Sequence, residues 1–226
     1  MEAGTPGPPP APEAPAAGSL TQTEVQVPQV RAGAGPPSSP HAVITEFDRQ
    51  DEYSRFLPLV KWLLLIPHWF VLLFVYIGAF FAIIYAWFAV LITGKFPAGV
   101  HKFLVGTTRW TTRASAYAML MTDSYPPFSF DPDEEYPARL DISYKEEIAR
   151  WRPLVQWLLV YPYTLVAGVL MLLAYVCTFL AFWVILFTKQ FPAGLFDFNV
   201  VAFRWQNRGN AYGAFMVDKY PPWQWG

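Results

Sequence analysis

The sequence predicts an all-α integral membrane protein that is built as a tandem repeat. Apolar residues make up 54% of the chain and charged residues only 15%, a composition typical of membrane proteins. Two apolar stretches each exceed the roughly 20 residues that cross a bilayer. A block rich in Arg, Trp, Tyr and Pro occurs twice, 95 residues apart. These observations predict two long spanning helices and two amphipathic Arg-bearing helices in a four-helix membrane bundle, with a small extramembrane β element.

The repeated block sets the division of the chain. Each copy follows an apolar stretch that ends in Phe-Pro-Ala-Gly, and each continues into an aspartate and a Tyr-Pro-Pro motif. We therefore divide the chain into a tail (1–40), a first membrane repeat (41–130) and a second membrane repeat (131–226). The block consists of Arg109, Trp110, Arg113, Asp123 and Tyr125 in the first repeat, and of Arg204, Trp205, Arg208, Asp218 and Tyr220 in the second.

The first 40 residues are rich in Pro, Ala, Gly and Ser. Such a composition cannot form a packed core, so the sequence predicts a disordered tail with polyproline character. No basic start and no apolar core follow Met1, which argues against a secretory signal. The tail is either a solvated segment or a Pro-rich ligand for a partner domain.

Two short segments predict the β element. Val43 and Ile44 lie in a strand-like segment between residues 40 and 47. Apolar and polar residues alternate from Tyr136 to Tyr144, which is typical of a half-buried strand. A two-stranded ribbon is marginal in water on its own. We therefore expect these strands to lie on another element.

The first apolar stretch, 57–93, carries only Lys61 and His68 as ionisable groups apart from tyrosines. Pro67 is predicted to divide it into a short interfacial segment, 57–66, and a spanning helix, 68–93. The second repeat is predicted to follow the same plan, with 153–161 before Pro162 and a spanning helix over 163–188.

The helices that carry the repeated block are predicted over 98–122 and 195–217. Phe103, Trp110 and Tyr117 fall on one stripe of the first of these helices, and Arg109 and Arg113 on a neighbouring stripe. Each helix either lies in the headgroup layer or crosses as a second span with its arginines paired inside the protein. If both copies of the block meet the same solvent, each repeat crosses an even number of times. This favours four membrane helices in parallel repeats, with an inverted pair of single crossings as the alternative.

The ordered motifs resemble a known family. The series Tyr-Pro-x-Arg-Leu, Pro-Leu-Val, Phe-Pro-x-Gly, Arg-Trp-x-x-Arg, Ala-Tyr and Tyr-Pro-Pro-Phe is similar to the domain-of-unknown-function 4389 family, over about residues 40–226 in two copies. The first copy lacks the Tyr-Pro-x-Arg-Leu lead, and the second has Trp223 where the first has Phe128. The resemblance implies a bacterial integral membrane protein and no assigned activity.

Four arginines and two aspartates are the candidate site residues. An arginine near a bilayer is costly unless it meets phosphate or carboxylate. One hypothesis is therefore a cluster that binds an anionic lipid headgroup or a partner's acidic segment. The other is that the arginines pair with the repeated aspartates, or with helix carboxyl ends, and join the two repeats. The set is Arg109, Arg113, Arg204, Arg208, Asp123 and Asp218.

No catalytic residues are assigned, so the protein is not predicted to be an enzyme. His68 is replaced by Tyr163 in the second repeat, which argues against a shared proton relay and favours an interfacial histidine. His41 and His101 offer no ligand spacing, so neither a metal nor a cofactor is predicted. Cys177 lies in an apolar run and is expected to pack as a small hydrophobe. Basic residues are scattered among acidic ones, which excludes a nucleic-acid stripe.

The predicted function is that of a non-enzymatic multi-pass membrane protein, either an accessory or scaffolding subunit or an anionic-lipid-binding protein. The alternative is a small transporter or channel component acting as a dimer, and a lipid-modifying enzyme ranks third because no nucleophile or base accompanies the arginines. The expected partners are the lipid bilayer, anionic headgroups, and a membrane protein or a second copy. The expected location is the bacterial inner membrane with both termini cytoplasmic.

Overall fold

The computed structural model describes Met1 and residues 42–225, so the predicted tail lies outside the described residues. The predicted mostly helical fold is confirmed, with two long apolar helices, two shorter Arg-bearing helices and a small two-stranded sheet. The elements are β1 (Val43–Phe47), α1 (Leu57–Leu64), α2 (Ile66–Thr93), α3 (Ala98–Ala118), β2 (Ala138–Ile142), α4 (Arg152–Thr188) and α5 (Ala193–Gly213).

The two prolines that were predicted to break the long helices act differently. In the first repeat the break falls at Leu65, so that Pro67 lies in the first turn of α2, where a missing N–H costs nothing. In the second repeat α4 continues through Pro162, contrary to the predicted break. Both long helices end on a residue in the left-handed conformation, Gly94 and its equivalent Lys189.

The long helices run antiparallel to each other. At one end of the molecule, Ile148, just before α4, donates to the carbonyl of Gly94, just after α2, at 2.9 Å. At the other end, Tyr53, just before α1, donates to the carbonyl of Lys189, just after α4, at 2.8 Å. The start of each long helix therefore lies beside the end of the other, and α3 and α5 return between the same two ends.

A pseudo-twofold axis relates the two repeats. In the antiparallel sheet Thr45 is paired with Leu140, and these residues are themselves equivalent, being 95 apart. Below the sheet, the Thr112 hydroxyl donates to the side-chain oxygen of Asn207 at 3.5 Å, and these residues are again 95 apart. The axis passes through both pairs and stands perpendicular to the sheet, because that is the local symmetry of an antiparallel strand pair.

The strands are exchanged between the repeats. β1 lies at the start of the first repeat but packs on α5, and β2 lies at the start of the second but packs on α3. The segments after α3 and α5 are exchanged as well. Met121 belongs to the core around α4, and Met216 belongs to the core around α2. The two repeats therefore form one interlocked unit rather than two separate domains.

α2 and α4 are buried along one stripe only. Leu72, Ala79, Ala86 and Val90 form that stripe on α2, and the rest of the helix exposes large apolar side chains. The helical segments Leu57–Thr93 and Arg152–Thr188 are long and apolar enough to cross a membrane. The first predicted stripe of α3 packs on α2, through Trp110 and Tyr117.

Candidate functional site

Arg109 fixes strand β2 to helix α3. Its Nε donates to the carbonyl of Leu140 at 2.8 Å, and its Nη2 lies 2.5 Å from a carboxylate oxygen of Asp141. The arginine side chain is 13% exposed, whereas that of Asp141 is 64% exposed. Both acceptors belong to the same strand, so Arg109 acts as a clamp that covers the outer edge of β2.

Arg204 repeats this arrangement on the other strand. Its Nε donates to the carbonyl of Thr45 at 3.2 Å. Thr45 and Leu140 face each other across the sheet, so the two arginines approach the two outer edges symmetrically. Burial and the neighbouring Arg208 lower the pKa of Arg204. An exposed edge strand is a template for unwanted pairing, and here each edge is covered by one of the repeated arginines.

The inner arginines are buried beneath the sheet and its flanking loops. Arg113 is 2% exposed, donates to the carbonyl of Asp131 at 2.9 Å and lies over the ring of Tyr136 at 5.7 Å. Burial lowers the pKa of Arg113. Arg208, its equivalent, is 5% exposed and interacts with the hydroxyl of Tyr163. The four arginines thus bind groups of their own chain.

The two repeated aspartates form ion pairs with lysines. Asp123 pairs with Lys61 of α1 at 2.7 Å and accepts a hydrogen bond from the backbone of Ser54 at 2.6 Å. Asp218 pairs with Lys145, which comes before α4. The carboxylates therefore have partners other than those in the hypothesis that paired them with the repeated arginines.

The repeated aspartates do not meet the repeated arginines because the chain turns sharply after α3 and after α5. Leu120 and Phe215 adopt positive φ angles of 61° and 62°, a conformation that is unusual for residues other than glycine. This turn redirects the chain, so Asp123 does not continue the arginine-bearing face of α3. The sequence gives no warning, because neither position is a glycine.

Aromatic residues enclose His68, which the sequence left as an interfacial residue. His68 is fully buried, accepts a hydrogen bond from the Trp110 indole at 2.9 Å and stacks on Phe128, with ring centroids 3.8 Å apart. In the second repeat Tyr163 takes this place, stacked on Trp205 at 4.8 Å. The Tyr-Pro-Pro segments fold back to supply these rings, a role that sequence reasoning missed.

The remaining candidates give no reactive constellation in the part of the chain that the structure describes. Within residues 42–225, no group of three or more His, Cys, Asp or Glu residues could hold a metal ion. His101 is buried among Phe96 and Tyr144, and burial lowers its pKa. A cleft of about 320 Å³ lies between the repeats, where Ile83 and Thr107 face Thr164 and Gly213.

The fold and these contacts define a class of protein: a duplicated helical protein with two helices that could cross a membrane and a sheet clamped on its Arg-bearing helices. The chain belongs to the family described as Domain of unknown function (DUF4389), whose model matches residues 58–129 and 150–224. The two matched segments confirm the two tandem copies. No curated protein and no solved structure matches the chain.

Proposed function

We propose that the protein is a non-enzymatic membrane protein that acts as an accessory or scaffolding subunit. The observation that supports this is the direction of the repeated arginines, which point inward and clamp the sheet onto α3 and α5. The residues that recur between the repeats therefore build a platform. Under this proposal the function lies in what the outer surface of the platform binds.

The loop before β2 makes that outer surface locally acidic. It exposes Asp131, Glu134 and Glu135, and no basic residue occurs between Arg113 and Arg139. Elsewhere around the sheet exposed carboxylates alternate with exposed basic residues, and Glu52, Asp141 and Glu146 have ion-pair partners. Such a locally acidic surface suits a basic segment of a protein partner and repels anionic headgroups. The exposed carboxylates are Asp51, Glu52, Asp131, Glu134, Glu135, Asp141, Glu146 and Glu147.

The same contacts weigh against an anionic-lipid site at the arginines, because a headgroup would have to displace the sheet. The arginine contacts also do not support the transporter alternative, because a transport path needs a line of polar groups that are free to bind the substrate. The cleft between the repeats holds Thr107, Thr108 and Thr164, but each hydroxyl donates to a carbonyl of its own helix. The scaffolding function is therefore the one that the geometry supports best.

Native mass spectrometry of the protein in nanodiscs drawn from its own membrane tests this proposal. We expect the wild type to hold a protein partner and the variant Glu134→Lys, Glu135→Lys to lose it while it remains folded. Asp197→Lys, an exposed charge change on α5, is the matched control and should keep the partner. A partner held equally by all three proteins, or a lipid held in its place, would contradict the proposal.

A further inference from the structure

We infer that the protein lies in the plane of the membrane, embedded in one leaflet of the lipid bilayer through the outer faces of α1, α2 and α4, and that it does not cross the bilayer. The inference rests on the proposed membrane association but not on the identity of any partner. It replaces the expectation of four crossing helices with an arrangement that has no crossing.

The direction of the helices is the first step. α1 and α2 run antiparallel to α4 along their length, since Trp87 of α2 donates to the carbonyl of Pro153 at the start of α4 at 2.9 Å, and Tyr53 meets Lys189 at the other end. If these helices crossed the bilayer, the turn after α2 and the turn after α4 would lie on opposite sides. The repeats would then be inverted.

The second step is the chain that connects the repeats. It begins beside Lys61, which pairs with Asp123, and reaches the opposite end, where Lys95 pairs with Glu146. A crossing bundle would therefore carry this connection through the bilayer along its flank, with β2 part of the way. Irregular backbone and open sheet edges do not occur in contact with the hydrocarbon core.

The charged residues of the connecting chain are a second argument against a bundle that crosses the bilayer. The sheet and its ends carry Arg139 paired with Asp48, and Arg109 paired with Asp141, and the loop before β2 exposes Glu134 and Glu135. In a crossing bundle these groups would lie near the depth of the bilayer centre, where charges are costly and normally face a protein interior or a water-filled cavity.

An in-plane arrangement removes both conflicts. No Asp, Glu, Lys or Arg occurs between Lys61 and Lys95 or between Arg152 and Lys189, and the outer faces of these helices expose large apolar side chains such as Phe80 and its equivalent Tyr175. A helix about 10 Å thick fits within one leaflet of a hydrocarbon core about 30 Å thick. The 37 residues of α4, Arg152–Thr188, would extend about 55 Å, well beyond that core.

The symmetry agrees with this arrangement. The pseudo-twofold axis is perpendicular to the sheet and to the long helices, so it becomes the membrane normal when the helices lie in the plane. Both repeats then meet the same lipid and the same solvent, so the equivalent Phe-Pro-Ala-Gly turns and Tyr-Pro-Pro segments lie in matching surroundings. The locally acidic surface around the sheet faces water, away from the lipid.

Labelling of single cysteines from each side of the membrane tests the inference. In a Cys177→Ala background, Lys95→Cys, Gln190→Cys and Glu134→Cys each place a thiol at an exposed position, and Lys95 and Gln190 are equivalent turn residues. Right-side-out and inside-out sealed vesicles are treated with a membrane-impermeant charged maleimide. We expect all three variants to react in the same preparation and none in the other.

Two further variants, Phe80→Cys and Tyr175→Cys, report on the apolar face and should react only after detergent is added. Reaction of Lys95→Cys and Gln190→Cys in opposite preparations would overturn the in-plane arrangement and leave the membrane association intact. Release of the protein by alkaline carbonate as a soluble oligomer, with Phe80→Cys protected, would show that a second copy covers the face. That result would overturn both the inference and the membrane association.

Discussion

The two repeats use different buried polar residues at equivalent positions to donate a hydrogen bond to equivalent backbone carbonyls. Lys61 donates to the carbonyl of Thr122 at 2.8 Å, and its equivalent Gln156 donates to the carbonyl of Val217 at 3.0 Å. The common requirement at this position is a side-chain donor that holds the chain after the Arg-bearing helix. The charge of Lys61 is an addition of the first repeat.

Because only the first repeat has a lysine at this position, the two equivalent aspartates form ion pairs that differ in burial. In the first repeat the side chain of Asp123 is 17% exposed and meets Lys61, which is 2% exposed. In the second, Asp218 pairs with Lys145, whose side chain is 53% exposed. One repeat therefore holds its carboxylate in a buried ion pair and the other in a surface ion pair. The two should respond very differently to loss of the cation.

The largest effect is expected for Lys61→Ala. Removal of one partner of a buried ion pair leaves an uncompensated charge and costs about 3–5 kcal/mol. Gln156→Ala removes only neutral donors and should cost about 1–3 kcal/mol. The measurement is the free energy of unfolding in mild detergent or nanodiscs, by denaturant titration.

Lys61→Gln separates the two contributions, because it restores the donor of the second repeat without the charge. We expect its stability to fall between those of the wild type and Lys61→Ala. Equal losses for Lys61→Ala and Gln156→Ala would show that the ion pair with Asp123 adds nothing to the carbonyl contact.

The sequence predicted the elements well and their mutual packing poorly. Helical periodicity placed Trp110 and Tyr117 on one face, and alternation placed Leu140 in a strand, because these are local patterns. The exchange of β1 and β2 between repeats is not a local property, since two similar repeats offer each strand two similar surfaces.

The candidate site was likewise predictable in part: the sequence identified the residues but not their partners. The recurrence of Arg109 and Arg204 identified them as equivalent residues, but their acceptors are backbone carbonyls of Leu140 and Thr45. Every residue has a backbone carbonyl, so the residue types at positions 45 and 140 do not indicate that these carbonyls accept hydrogen bonds. Lys61 did carry a signal for Asp123, because a cation within an apolar segment needs a partner.

A second comparison concerns the two clamps on the sheet. Arg109 adds an ion pair with Asp141 to its carbonyl bond, whereas Arg204 makes a single bond of 3.2 Å to Thr45. Each arginine donates a charged hydrogen bond to a carbonyl, which contributes about 1.5–3 kcal/mol. Because Asp141 is 64% exposed, its ion pair adds at most about 1 kcal/mol, so Arg109→Ala should destabilise the protein slightly more than Arg204→Ala. Amide hydrogen exchange over Val43–Phe47 and Ala138–Ile142 should report faster opening in both variants.

Lys102→Ala is the control for these variants, because Lys102 is an exposed cation on the same helix as Arg109. It should leave exchange in the sheet unchanged. Slower or unaltered exchange in the Arg109→Ala, Arg204→Ala double variant would mean that the arginines do not hold the sheet.

A third difference lies where a loop approaches a helix. Gly106 of α3 is in contact with Phe130, and a Cβ added there would lie 2.5 Å from the Phe130 Cβ. The equivalent residue in the second repeat is Val201. Gly106→Val should therefore cost about 1–3 kcal/mol by overpacking, measured by unfolding.

Phe130→Gly removes the Cβ that would clash, so the loss in the Gly106→Val, Phe130→Gly double variant should be smaller than the sum of the two single losses. Val201→Gly is the matched change in the second repeat and creates no clash. Strict additivity of the first pair would exclude steric conflict with Phe130 as the cause.

The smallest effect concerns the surface ion pair of the second repeat under acid. The hydrogen bond from Lys145 lowers the pKa of Asp218 below its ordinary value. A carboxyl group with a lowered pKa in the folded state stabilises that state above its unfolded pKa of about 3.9, and this contribution is lost as the pH falls through the folded pKa. The contribution should be under about 1 kcal/mol, because Lys145 is more than half exposed.

Asp218→Asn removes the titrating group, so its stability should fall less than that of the wild type when the pH is lowered from 5 towards 2.5. Lys145→Met should flatten the same dependence by returning the pKa of Asp218 towards its ordinary value. The measurement is the denaturant midpoint at several pH values. If both variants followed the wild-type curve, Asp218 would not contribute to acid sensitivity, and the surface ion pair would be energetically neutral while the buried pair of Lys61 and Asp123 is not.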